Sequence, residues 1–175
     1  MNQKDRIYLI GMMGAGKTTL GKLLSEKLGY SFYDLDEEIS KKEMMTIPEI
    51  FSKKGEDYFR ELESNILKTL LPIKSVIATG GGAPCFFDNI NFLLKNGWVI
   101  YLDVDTETLT KRVLQQKGER PLIQSEKYEE VLQILSKRIQ QRKPFYEKAH
   151  LTFKGEIKVE EIIEELKALV ITEKD

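Results

Sequence analysis

Residues 11–18 read Gly11-Met12-Met13-Gly14-Ala15-Gly16-Lys17-Thr18 and fit the pattern G-x-x-x-x-G-K-[ST] at every fixed position. With glycine at about 7% of average composition, a chance match in a chain of this size has a probability of roughly one in a hundred. The flanks narrow the fold further. Ile7-Tyr8-Leu9-Ile10 reads as a buried strand entering the loop, and Thr19, Leu20, Leu23, Leu24 and Leu28 recur at helical spacing until Gly29 closes the helix. Strand, glycine loop and helix form the arrangement in which consecutive backbone N–H groups curl around phosphate oxygens and the helix N-terminus adds positive potential. In that setting Lys17 reaches the outer phosphates and the Thr18 hydroxyl ligates Mg²⁺. The competing reading is a glycine turn that only joins strand to helix.

The 175 residues suffice for one domain with a core that needs no metal or disulfide support. A formal charge of −1 gives no bulk attraction to nucleic acid or to an anionic membrane. The single cysteine, Cys85, excludes an intrachain disulfide and suits a reducing cytoplasm. The apolar segment behind residues 1–6 is too short for a signal peptide or a membrane span. The expectation is a cytoplasmic α/β protein spanning 1–175 as one domain.

Short apolar strands alternate with longer amphipathic helices, which implies five strands in a parallel sheet with helices on both faces. Strands are expected at 31–34, 75–79, 98–102 and 151–153 after the first. Helices are expected at 36–43, from Thr46-Ile47-Pro48-Glu49 onward, at 56–71, 88–95, from Thr106 with Leu109, Val113 and Leu114 inward, at 128–146 and at 159–170. Residues 117–124 are polar, contain Gly118 and Pro121, and read as a mobile loop.

In an open parallel sheet, functional groups gather where the C-terminal strand ends meet the following loops. Asp34 and Asp36 stand at one such end: they either divide between a metal and an acceptor hydroxyl, or cap the helix that starts there. Gly80-Gly81-Gly82 stands at another, where three glycines sacrifice backbone entropy either for close approach of a ligand or for a flexible turn. Asp105-Thr106 reads as a helix start, and His150 as a satisfied structural histidine. Arg60, Arg120 and Arg142 carry the planar fork that suits carboxylate and phosphate, although any one of them alone also fits a solvated surface. Phe51 and Phe59 fit core packing.

Taken in order, G-M-M-G-A-G-K-T-T at 11–19, D-L-D at 34–36, I-F-S-K-K-G-E-D-Y-F-R-E-L-E at 50–63, A-T-G-G-G at 78–82, E-R-P-L at 119–122 and Q-R-K-P-F-Y at 141–146 resemble the shikimate kinases over nearly the whole chain. The resemblance implies a small three-layer P-loop kinase fold with a five-stranded parallel sheet, a substrate-binding region at about 34–63 and a lid at about 117–124. It implies Mg²⁺-dependent transfer of the ATP γ-phosphoryl group to the 3-hydroxyl of shikimate, on the route to chorismate and aromatic amino acids. Gly14, Ala15, Gly16, Lys17, Thr18, Thr19 and Arg120 would bind ATP. Thr18 and Asp34 would serve the metal, with Asp34 acting through water. Asp36 would hold the reacting hydroxyl and act as base. Arg60 and Arg142 would clamp the shikimate carboxylate, with Glu63 orienting Arg60, while Gly81 and Gly82 present backbone N–H groups. Lys17, Asp36 and Arg120 form the implied catalytic set, with Arg120 arriving on the closing lid. Lys154-Gly155-Glu156-Ile157 stands where the family often carries a proline-bearing adenine loop with an arginine. The implied partners are ATP, ADP and shikimate, with no nucleic acid or membrane, and the implied state is a monomer. The same fold with a gluconate- or nucleoside monophosphate-type acceptor is the alternative; a catalytically idle relative that only binds partners is the third reading.

Overall fold

The computed structural model describes residues 5–69, 72–115, 123 and 125–172. Their frame is a five-stranded sheet, parallel throughout, in the order β2-β3-β1-β4-β5. The strands are β1 (Arg6–Ile10), β2 (Ser31–Asp34), β3 (Ser75–Ala78), β4 (Trp98–Asp103) and β5 (Leu151–Lys154). The inner strands β1, β3 and β4 are buried almost residue for residue, as uninterrupted apolar runs must be when helices cover both faces. The outer strands β2 and β5 are partly exposed and carry the polar positions.

The helices are α1 (Lys17–Leu28), α2 (Leu35–Glu43), α3 (Ile47–Thr69), α4 (Asn89–Asn96), α5 (Thr106–Gln115), α6 (Tyr128–Tyr146) and α7 (Val159–Thr172). The two helices expected on either side of residue 55 run end to end as α3, and Gly55 breaks the helical geometry between them with φ 84° and ψ 170°. Only glycine adopts that conformation without strain. Thr46 and Glu49 open α3 with a reciprocal capping box: the Thr46 N–H donates to Glu49 Oε2 at 2.9 Å, and the Glu49 N–H donates back to Thr46 Oγ1 at 3.4 Å.

Periodicity misplaced two leucines. Leu23 and Leu114 were expected inside but are 47% and 36% exposed. On α1 the face turned to the sheet is Lys17, Leu20, Gly21, Leu24 and Ser25. Gly21 belongs to it because a Cβ there would lie 2.5 Å from the Phe32 ring. A small residue and a serine carry part of the contact stripe, so hydrophobicity alone points one position off.

From β1 the chain moves to β2 and β3 on one side, then crosses to β4 and β5 on the other. The reversal opens a crevice beyond the C-terminal ends of β1 and its neighbours. The loop after β1, the end of β2 and the triple glycine after β3 all open into it.

Candidate active site

One wall of the crevice is backbone. Gly11, Gly14 and Gly16 take φ values of 139°, 79° and 91°, which turn the loop through a path closed to other residues. At Gly11 a Cβ would also lie 2.8 Å from the Leu102 carbonyl oxygen at the end of β4, so the loop is pressed against the sheet. Lys17 is buried and donates from Nζ to the carbonyls of Gly11 at 2.9 Å and Met12 at 2.8 Å. Its charge is thereby held at the mouth of the loop. The Thr18 hydroxyl donates to Asp34 Oδ2 at 2.7 Å, while Asp34 Oδ1 accepts the Asp36 N–H at 3.1 Å. Asp34 therefore caps α2 and faces the loop at once, while Asp36 lies in the first turn of that helix. These groups surround a cavity of about 220 Å³ that Thr19, Asp36, Gly80 and Gly81 also line.

The second wall is made of side chains. Arg60, on α3, is 4% exposed, and its Nη1 donates to Glu63 Oε2 at 2.9 Å. Arg60 Nε and Nη2 both donate to Glu56 Oε1, at 3.2 and 2.9 Å. The guanidinium carbon lies over two aromatic rings, 4.6 Å from the Phe86 centroid and 5.1 Å from that of Phe59. Phe59 is buried and meets Phe51 at 4.7 Å between centroids, so this pair is part of the core and one of its rings also supports Arg60.

Glu63 is fully buried, and among the described residues its Oε1 has no hydrogen-bond partner. Burial, reinforced by the negative charge of Asp36, pushes its carboxyl up to about 7 against the pull of Arg60 and Arg142. Burial opposes the charge on Arg60, but Glu63 and Glu56 outweigh it and raise the Arg60 pKa above its ordinary value.

The triple glycine joins the walls. A Cβ on Gly80 would lie 2.5 Å from Glu63 Oε1 and 3.1 Å from Asp36 Oδ1. On Gly81 it would lie 3.0 Å from Arg142 Nη1, and on Gly82 2.6 Å from Arg60 Nη1. None of the three has a φ in the left-handed region, and at Gly80 and Gly82 a Cβ would crowd buried side chains, so close approach accounts for these two better than a flexible turn does. What approaches is the protein's own carboxylates and guanidinium groups. Asp36, Arg60, Glu63 and Arg142 are thus gathered around three consecutive backbone units.

Three contributors escaped the sequence reading. Met12 occupies a variable position of the loop, yet its sulfur accepts from Arg142 Nη1 at 3.5 Å and lies 3.6 Å from the Tyr146 hydroxyl oxygen. Tyr146 also donates to the Gly81 carbonyl, tying α6 to the triple glycine. Arg112, on α5, donates from Nη1 to the Gly14 carbonyl at 3.1 Å and so touches the phosphate loop from outside. The Pro144-Phe145-Tyr146 run was the one available signal for Tyr146; nothing in the sequence singles out Met12 or Arg112. Arg120 and nearly all of the expected lid at 117–124 lie outside the described residues.

Elsewhere the bland readings hold. His150 Nδ1 accepts the Val99 N–H at 3.0 Å, and Asp105 caps α5 by accepting the Thr108 N–H at 2.8 Å. No described helix is long and apolar enough to cross a membrane. Among the described residues there is no group of three or more His, Cys, Asp or Glu suited to a metal.

The arrangement is a glycine loop facing two buried arginines. The family profile described as shikimate kinase matches residues 13–170. The chain belongs to the shikimate kinase family. A shikimate kinase of Parabacteroides distasonis is 43% identical over 152 residues, covering 86% of this chain and 88% of the relative. That of Aquifex aeolicus is 41% identical over 162 residues, covering 92% and 93%. Among solved structures, the shikimate kinase of Acinetobacter baumannii in complex with shikimate superposes with a TM-score of 0.85 at 39% identity, covering 97% of this chain and 94% of that one. A deoxyadenosine kinase from M. mycoides reaches a TM-score of 0.55 at 20% identity and shares the fold alone.

Proposed function

We propose that this chain, like the shikimate kinases it is related to, transfers the γ-phosphoryl group of ATP to the 3-hydroxyl of shikimate, giving shikimate 3-phosphate and ADP for chorismate and aromatic amino acid synthesis. The single observation that carries the acceptor is Arg60, fixed beside Gly82 while Arg142 faces Gly81. Two guanidinium groups on adjacent backbone units suit an acceptor bearing a carboxylate. A gluconate-type acceptor shares that charge but has a flexible chain in place of a ring, and a nucleoside monophosphate carries a larger base.

Phosphoryl transfer passes through a loose transition state, so positioning and charge neutralisation do most of the work. Gly14, Ala15, Gly16, Lys17, Thr18 and Thr19 would grip the phosphates of ATP. Asp36 would orient the acceptor hydroxyl and take its proton as the new P–O bond forms and the bond to the ADP oxygen breaks. Arg60 and Arg142 would fix the carboxylate, Glu63 would brace Arg60, and the N–H groups of Gly81 and Gly82 would complete the acceptor side. Arg120, carried by a lid at 117–124, would cover the transferring group beside Lys17 and exclude water. The whole chain would act as one domain, with 34–63 as its substrate-binding region, as a cytoplasmic monomer. No partner beyond these small molecules is implied.

Thr18 and Asp34 place a hydroxyl and a carboxylate oxygen 2.7 Å apart beside the phosphate cavity. Hard oxygen donors in that small number fit Mg²⁺, which keeps several waters and takes its remaining ligands from phosphate. When bound, the ion would neutralise phosphate charge; Thr18 would ligate it directly and Asp34 through water.

The test is purified protein with MgATP and an acceptor panel. Shikimate-dependent ADP formation, with phosphorus NMR placing the product phosphate on the 3-oxygen, is expected. Turnover of gluconate or a nucleoside monophosphate with none of shikimate, in a folded protein, would overturn the reading.

A further inference from the structure

The edge of Arg60 best suited to a carboxylate is already taken from within the chain. Nε and Nη2 form the side of a guanidinium that grips a carboxylate edge-on, and both point to Glu56 Oε1. The two acidic partners of Arg60 sit in opposite surroundings. The Glu63 side chain is 0% exposed, whereas that of Glu56 is 46% exposed. Glu63 is a fixed brace. Glu56 follows immediately after the break at Gly55 and has solvent on its other side.

That other side is a cavity of about 490 Å³, lined by Glu56, Cys85, Phe86, Arg138 and Arg142 among others. Arg142 therefore faces the same space as Glu56. Arg138, one turn earlier on α6, brings a second guanidinium to the cavity. Burial, then the positive charges of Arg142 and Arg60, weaken the hold of Arg138 on its proton, and the charge of Glu56 works against them. Glu56 is thus poised between the guanidinium it binds now and a second one that lines the same cavity.

We propose that Glu56 is a displaceable stand-in for the substrate carboxylate, occupying the fork of Arg60 until an acid enters and then turning across the cavity to Arg138. This rests on the shikimate kinase reading and deepens it by naming a specificity determinant. An acidic acceptor exchanges one carboxylate for another on Arg60, at little electrostatic cost. A neutral polyol has nothing to offer the fork, and Glu56 stays where it is. Selection for acids is achieved by occupying the site against everything else. The corollary is that Glu56 lowers the enzyme's affinity for its own substrate.

Steady-state kinetics with MgATP test this through its sign. Wild-type turnover of shikimate, measured first, checks the parent reading separately. In Glu56→Gln the KM for shikimate should fall about twofold to fivefold, the scale of displacing one half-exposed ion pair. A residue that merely braced Arg60 would give the reverse, and a KM that stays or rises overturns the proposal. In Arg138→Met the KM for shikimate should rise, because the displaced carboxylate loses its receiving cation; an unmoved KM removes Arg138 from the scheme. The KM for ATP should stay in place in both. Should Glu56→Gln fail to fold, a crystal structure of the wild-type protein with shikimate decides: Glu56 off Arg60 supports the exchange, and Glu56 still at about 2.9 Å refutes it.

Discussion

The two walls of the site are built on opposite principles. The donor wall is local: Gly11 to Thr18 supply it from one turn, with glycine conformations and a lysine folded onto its own loop. The acceptor wall is assembled from distant parts, with Arg60 and Glu63 on α3, Arg142 on α6 and three glycines after β3. The first is mainly backbone dipoles, generic for phosphate; the second is a buried charge network, which on the proposed reading selects the acceptor. Generic grip is cheap to encode in sequence, and selectivity draws on the tertiary fold.

Substitutions that strike one wall should leave the other working, and the largest separation should come from the donor side. Lys17→Met removes the charge at the loop mouth and should lower kcat by about a thousandfold or more, the scale of losing a transition-state cation. Calorimetric shikimate affinity should be retained; a tenfold loss or less in kcat would deny Lys17 a part in the chemistry. Arg142→Met should raise the KM for shikimate about a hundredfold, as loss of one charged partner of a carboxylate does, with the KM for ATP nearly fixed. Because Arg142 also touches Met12, a matching rise in both would show the walls to be coupled there.

Smaller effects sharpen the picture. Gly82→Ala would set a methyl 2.6 Å from Arg60 Nη1 and push the guanidinium aside. The expected result is a rise of about tenfold in the shikimate KM from misplacement alone, with little change for ATP. Gly16→Ala, with open space around its Cβ but a φ of 91°, should instead harm nucleotide binding and stability through backbone strain.

Glu63 adds a pH signature. Its carboxyl is raised by burial to about 7, so the folded protein binds this proton more tightly than the unfolded chain. The stabilising contribution is complete below the ordinary carboxylate range near 4.5 and is lost as pH rises through about 7. Thermal stability should therefore decline between those values, and Glu63→Gln should flatten that decline. A wild-type profile rising over the same window would contradict the raised carboxyl.

Legibility followed the same division. The opening of α3 at Thr46 and the break at Gly55 could be read from a cap, a proline and a glycine, because those signals lie within a few residues of what they control. The phosphate loop was legible for the same reason. Leu23 was misplaced because Gly21 and Ser25, with little or no apolar side chain, pack where a leucine stripe was expected. Met12 and Arg142 are 130 residues apart in sequence, and no periodicity connects them. The triple glycine was legible as a close approach, but what approaches it was not. The fold brings the side chains of Glu63, Asp36, Arg142 and Arg60 there, and no local pattern announces them.

The independence of the two walls is tested most directly by calorimetry on Arg60→Met. Glu63, already raised toward neutrality, can take up a proton when its partner is lost, which favours a folded variant. The expected result is MgADP binding close to that of the wild type with shikimate binding reduced about a hundredfold or more. Equal loss of both ligands, in a variant that keeps the circular dichroism and melting behaviour of the wild type, would contradict a site whose donor and acceptor sides are separately built.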